Sequence, residues 1–224
     1  MHFFDYKGKK FYAEGVSVEK IAAECGTPVY IYSHKTLVRH YTAFTEAFSS
    51  VPHLICYSVK ANSNISILKT FADEGSGFDI VSGGELFRAL KAGARPGKIV
   101  FSGVGKKEDE IEYAIKSGIL MFNVESGQEL RAIDKAAGRL RKKASFAIRV
   151  NPNVDPKTHP YISTGLKQSK FGVAYRDAER LYRAATRRAN VEVVGIGCHI
   201  GSMMTDPAPY AAAAARIVAL AARL

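Results

Sequence analysis

The chain has 224 residues, 47% of them hydrophobic and 24% charged, enough for one large core or two small ones. No stretch approaches the roughly 18 apolar residues of a membrane span, and the opening MHFFDYKGKKFY lacks the basic-then-apolar order of a secretory signal. The net charge of +11 could suit nucleic acid, but Arg176, Arg180, Arg183, Arg187 and Arg188 recur at helix-surface spacing without interleaved aromatics, so a solvated basic face is expected instead.

Residues 1–34 differ from the rest of the chain. HFFDYKGKKFYAEGV reads as strand, turn and strand; a helix runs from Ser17 as N-cap to Cys25, closed by Gly26; TPVYIYS reads as a strand of β-formers. The next helix carries Leu37, Tyr41, Phe44 and Phe48 on one stripe. A strict alternation then begins. Strands are expected at 54–59, 78–82, 98–102, 119–124, 145–150 and 191–199. Helices lie between them, several closed by glycine, and Ser126 with Glu129 forms a capping box. The alanine-rich run 208–224 is a further helix.

Alternating strands and helices imply parallel strands with crossover helices, in a doubly wound sheet or a (β/α)₈ barrel. The strand faces favour the barrel. Cys56, Ser58 and Lys60 share one face of the first strand. Ser145, Ala147, Arg149 and Asn151 share one face of the fifth, and Val193, Gly195, Gly197 and His199 one face of the sixth. That face is small or polar and ends in a Lys, an Arg or a His where barrel active sites are built. Six βα units are present where a closed barrel needs eight, so an incomplete (β/α)₈ barrel is expected over 35–224, preceded by a β segment over 1–34 that belongs to a second, β-rich domain.

Lys60 ends the first strand; such lysines often snorkel to solvent, but one held in an enclosed mouth can serve as a Schiff-base amine. His199 follows two inward glycines that leave room for a flat ligand, although a satisfied core histidine is the plainer reading. Gly201 and Ser202 can offer an N–H and a hydroxyl to a phosphate. Asp79 and Glu85 flank a Ser-Gly-Gly turn, where Glu85 could equally cap its helix. The long stretch 151–172 is read as a lid or substrate loop, or else as a plain surface loop. Cys25, Cys56 and Cys198 are far apart and form no CxxC pair, which suits a reducing, cytoplasmic setting and gives no metal or disulfide framework.

The runs YSVKAN, FDIVSGGEL, AIRVNPNVD, HPYISTGLKQSKFG and CHIGS, in that order, resemble the fold-type III decarboxylases that use pyridoxal 5′-phosphate (PLP). The resemblance implies that Lys60 holds PLP, that His199 stacks on its ring, that Ser202 contacts its phosphate, and that Asp79, Glu85 and Arg149 line the pocket. Catalytic roles fall to Lys60 and His199, with no metal. The opening and the HPYISTG run favour meso-diaminopimelate as substrate, giving lysine and CO₂, over ornithine, arginine or carboxynorspermidine. Met203 stands where the family usually has glutamine. The family's Gly-rich phosphate loop, its Glu-Pro-Gly-Arg segment, and a cysteine and tyrosine supplied across a homodimer interface have no match in 1–224, so the chain alone is expected to be inactive or to bind PLP weakly. A non-enzymatic PLP-binding barrel is the competing reading, but it would complete eight strands and lack the β-rich opening.

Overall fold

The computed structural model describes residues 2–155, 171–202 and 204–224. Its opening is a small antiparallel sheet of β1 (Phe4–Lys7), β2 (Lys10–Ala13) and β3 (Val16–Ser17). Helix α1 (Val18–Cys25) begins where the Ser17 hydroxyl accepts from the Lys20 N–H and stops at Gly26, whose φ is 78°, as its cap residues foretell. The next segment departs from expectation. Val29, Tyr30, Ile31 and Tyr32 are β-formers, yet among the described residues they pair with no strand, and Tyr30 is 88% exposed. Propensity supplies a suitable side chain but not a ladder partner.

Helix α2 (His34–Ala47) is tied to the opening sheet by Glu14, whose carboxylate accepts from the Ser33 hydroxyl at 2.8 Å and the Lys35 N–H at 2.9 Å. Its expected stripe is only half used. Leu37 and Tyr41 pack on the core, while Phe44 and Phe48 remain exposed.

The remaining chain is a βα succession: β4 (Cys56–Ser58), α3 (Ile65–Asp73), β5 (Gly77–Ile80), α4 (Gly83–Lys91), β6 (Ile99–Phe101), α5 (Glu108–Ser117), β7 (Met121–Val124), α6 (Gly127–Arg139), β8 (Ala144–Asn151), β9 (Val173–Ala174), α7 (Tyr175–Ala185), β10 (Val191–Gly197) and α8 (Ala208–Ala221). The strands line up in the order β4-β5-β6-β7-β8-β10, every pair parallel, with β9 added beside the end of β8. Among the described residues β4 and β10 are the free edges, so the barrel is partial, as the strand count implies.

Period-two alternation separates the two faces. Phe78, Ile80, Ile99, Phe101, Phe122, Val124, Phe146, Ile148 and Val150 point outward, each 1% exposed or less. They pack beneath Leu68, Leu86, Ile111, Leu130 and Ile133 of the helices, and each such burial is worth roughly 1.5–3 kcal/mol.

The sixth strand of that path differs in one respect. Val193 pairs with Phe146 but Gly195 pairs with Ala147, so Val194 is an extra residue in a bulge. Val193 therefore lies on the opposite face from Gly195 and Gly197, whereas simple alternation puts all three together. Tyr182 repairs the ladder. Its hydroxyl donates to the Gly195 carbonyl at 2.8 Å and accepts from the Ile148 N–H at 3.1 Å.

Candidate functional site

The inward face opens at the C-terminal ends of the strands into a cavity of about 470 Å³. Its walls include Lys60, Asp79, Ser102, Asn123, Arg149 and His199. This lies within the size range of small-molecule pockets, roughly 300–1,000 Å³.

Lys60 sits one turn later than the sequence suggests. Strand β4 stops at Ser58, and Val59–Ala61 form a single 3₁₀ turn. Val59 is fully buried and anchors that turn, leaving the Lys60 side chain on the cavity side. Asp79, on β5, is held by two hydroxyls: Ser58 donates to its Oδ2 at 3.4 Å, and Ser102 donates to its Oδ1. Ser102 in turn accepts from Asn123 Nδ2 at 2.9 Å. A row of polar side chains thus crosses β4, β5, β6 and β7 and fixes the carboxylate.

Arg149, on β8, donates to Glu125 Oε1 at 3.0 Å, and its guanidinium lies 5.3 Å from the centre of the Phe171 ring. His199 stands on the exposed rim just beyond β10. Desolvation at that rim, then the nearby positive charges of Arg149 and Lys60, hold its imidazolium below the ordinary histidine range, with Asp79 and Glu125 opposing. Beside it, a Cβ added at Gly197 would meet nothing within 4 Å. The cavity wall is open at Gly197.

A second polar knot lies behind this wall. The Lys106 side chain, 1% exposed, donates to the Gly103 carbonyl at 2.6 Å, the Asn123 carbonyl at 2.9 Å and Glu129 Oε1 at 2.6 Å. All three ammonium hydrogens have acceptors. Burial pushes the Glu129 carboxyl up, against the pull of Lys106.

Of the residues singled out from sequence, Lys60, Asp79, Arg149 and His199 come together on one cavity. Glu85 is not part of its lining. Its carboxylate accepts from the Val81 N–H at 2.8 Å, near enough to Asp79 and Lys60 to feel both charges, and burial raises its pKa. The N-cap of α4 is Ser82, which accepts from the Glu85 N–H, while the Glu85 carboxylate reaches back to the residue before it. Ser202 is exposed and is also not among the lining residues. Glu129 accepts from the Glu125 N–H, one residue before the N-cap Ser126, which shifts the expected box by one position. Met203 and most of the 151–172 loop, 156–170, lie outside the described residues. Sequence reasoning passed over Ser102, Asn123, Glu125 and Lys106. Ser102 and Asn123 did leave a signal, a polar residue at the inward position near the end of a buried strand.

Cys56 is held mainly as a thiol. Burial and the neighbouring Asp79 push its thiol to about 11. Among the described residues no cluster suits a metal ion, and no helix is long and apolar enough to cross a membrane.

An amine, an imidazole, a guanidinium and a fixed carboxylate around one cavity at the mouth of parallel strands define a barrel built to hold a small anionic organic ligand. The comparisons specify which. Residues 34–224 match the pyridoxal-binding domain of the pyridoxal-dependent decarboxylases, and the chain belongs to that family.

Among curated relatives it is 48% identical over 224 residues to a diaminopimelate decarboxylase of Pseudomonas aeruginosa and 50% identical over 224 residues to one of Haemophilus influenzae. It covers 54% of each, so the chain spans about half the length of the curated relatives it matches. Among solved structures it is similar to diaminopimelate decarboxylase of Helicobacter pylori complexed with L-lysine, with TM-score 0.89, 47% identity, and 92% of this chain and 52% of that one covered. It is also similar to the M. jannaschii enzyme in co-complex with L-lysine, with TM-score 0.91, 37% identity, and 98% and 53% covered.

Proposed function

We propose that this chain is the PLP-binding part of a carboxy-lyase that converts meso-diaminopimelate to L-lysine and CO₂. The observation that carries this reading is the convergence of Lys60, Arg149 and His199 on one cavity that is open beside Gly197. The residues present fit the cofactor. Lys60 offers an amine to its aldehyde. His199, whose pKa desolvation holds down, would offer a flat face to the flat ring. Arg149 offers a cation to a carboxylate or phosphate oxygen. Gly201 and Ser202, which follow His199 in the chain, would offer a backbone N–H and a hydroxyl to the cofactor's phosphate.

When bound, PLP supplies an electron sink for the electron pair left behind as CO₂ departs. The protein's part is placement. The Ser58, Ser102 and Asn123 row holds Asp79 in one orientation. The exposed rim admits the substrate. Glu85, held by the Val81 N–H, adds a carboxyl of raised pKa on the Lys60 side.

Residues 1–34 are assigned to a second, β-rich domain and 35–224 to the barrel, a division supported by the separate sheet of β1–β3 and by the start of the family match at residue 34. A homodimer of the full-length enzyme is supported by the apolar side chains exposed at the end of α2, Phe44 and Phe48. A cytoplasmic location is supported by three free cysteines without disulfide spacing.

The test is CO₂ release by the full-length protein supplied with PLP and either meso-diaminopimelate, ornithine or arginine. Release from meso-diaminopimelate alone is expected. Equal release from ornithine or arginine contradicts the substrate assignment.

A further inference from the structure

Glu125 is a buried carboxylate to which the proposed function gives no role. Its side chain is 2% exposed. It stands one residue beyond β7 with two donors aimed at it from different parts of the chain. Arg149 NH1 reaches Oε1 at 3.0 Å, and the Gly172 N–H reaches Oε2 at 3.0 Å. The two partners also touch each other. The Arg149 guanidinium lies over the Phe171 ring, and a Cβ built on Gly172, whose φ is +77°, would meet the Arg149 carbonyl at 2.9 Å. Arg149 and Phe171 both line the cavity, whereas Glu125 does not.

We propose that Glu125 is a positioning residue, whose carboxylate clamps the Arg149 guanidinium and the Phe171–Gly172 backbone together as one wall of the cavity and so sets the cation against which an anionic group of the cofactor or substrate seats. The chemistry requires a carboxylate. Two N–H donors converge on two oxygens, and only a group that accepts at both can serve them together. A glutamine of the same shape presents an N–H₂ to one donor and breaks one of the two contacts. The guanidinium would then be left partly desolvated without its counter-charge. Gly172 is the complementary half of the device, since a side chain there would push the returning backbone away from Arg149. The inference rests on the cavity being the PLP site.

The experiment measures two quantities on the full-length protein, with far-ultraviolet circular dichroism confirming that each variant is folded. The first is hydrogen exchange at the Gly172 amide without cofactor. The second is PLP affinity, from the visible band of the lysine-bound cofactor. For Glu125→Gln, Gly172 exchange is expected to accelerate and PLP affinity to fall by roughly tenfold or more, the usual scale for losing a charged hydrogen bond. Glu125→Asp keeps the charge and recovers part of both effects. Gly172→Ala disturbs the clamp from the other side, leaves Glu125 in place, and weakens PLP by a similar factor. Wild-type affinity in Glu125→Gln and Gly172→Ala, whatever the exchange rate, overturns the inference and leaves the PLP site standing. A wild-type full-length protein that forms no PLP band, or a band that survives Lys60→Ala, overturns the site itself and the inference with it.

Discussion

At the scale of single residues, protonation and hydrogen bonding at the cavity rim give two measurable consequences. His199 is held below its ordinary value of 6.5, first by desolvation and then by Arg149 and Lys60. Its folded-state pKa is thus lower than its unfolded one, so the unfolded chain binds the proton more readily. Stability contributed by the neutral imidazole is complete above pH 6.5 and declines as the pH falls from there. In an NMR titration of the cofactor-free chain, His199 is expected to titrate below the ordinary value of 6.5, and Arg149→Met should raise its midpoint. A midpoint at or above 6.5 contradicts the described surroundings. Tyr182 gives the second consequence. Its hydroxyl serves both Ile148 N–H and Gly195 C=O where the bulge interrupts the ladder. Tyr182→Phe leaves both without that partner and should cost about 1–3 kcal/mol in denaturant unfolding. Residues of this kind divide in how visible they are in a sequence. Lys60, Asp79, Arg149 and His199 are legible because each sits at or near the end of an inward strand face. Glu125 and Lys106 are not, because their partners lie elsewhere in the chain: Arg149 is 24 residues from Glu125, and Glu129 is 23 from Lys106.

At the scale of elements, Lys106 ties the loop after β6, the end of β7 and the first turn of α6 into one unit. Lys106→Met leaves the buried Glu129 carboxylate without its counter-charge, and the expected loss is about 3–5 kcal/mol. Glu129 already has a pKa raised above 4.5 by burial. The folded state therefore holds its proton more tightly than the unfolded state, and the loss in Lys106→Met should grow as the pH rises through that raised value, where the wild-type carboxyl ionises beside Lys106. Lys106→Met with Glu129→Leu removes both charges and should recover much of the stability, as measured by urea midpoints. A double variant no better than the single one contradicts the ion-pair account. The βα succession itself is legible, since buried parallel strands bounded by capped helices leave strong periodic signals, and Ser17, Gly26 and Ser126 mark helix ends correctly. Two features are not. A bulge at Val194 depends on the register against β8, and TPVYIYS has strand-forming residues without a partner among the described ones. Pairing is a tertiary fact that composition does not carry.

At the scale of the molecule, the six-strand path leaves β4 and β10 as open edges among the described residues, and Val193, Val194, Val218 and Leu224 are exposed near the β10 side. Open parallel edges and bare apolar side chains favour association. Sedimentation velocity of the isolated 224-residue chain is expected to show species larger than a monomer that shrink on Val194→Lys. A clean monomer across concentration contradicts this. The central claim is narrower and concerns the Lys60 amine, which the turn after β4 contributes to the cavity wall. Incubation with PLP, reduction with borohydride and peptide mapping by mass spectrometry locate the modified lysine directly. The pyridoxyl adduct is expected on Lys60, with none in Lys60→Ala. An adduct on another lysine in its place, or equal labelling spread over the surface lysines, contradicts the cavity as the cofactor site.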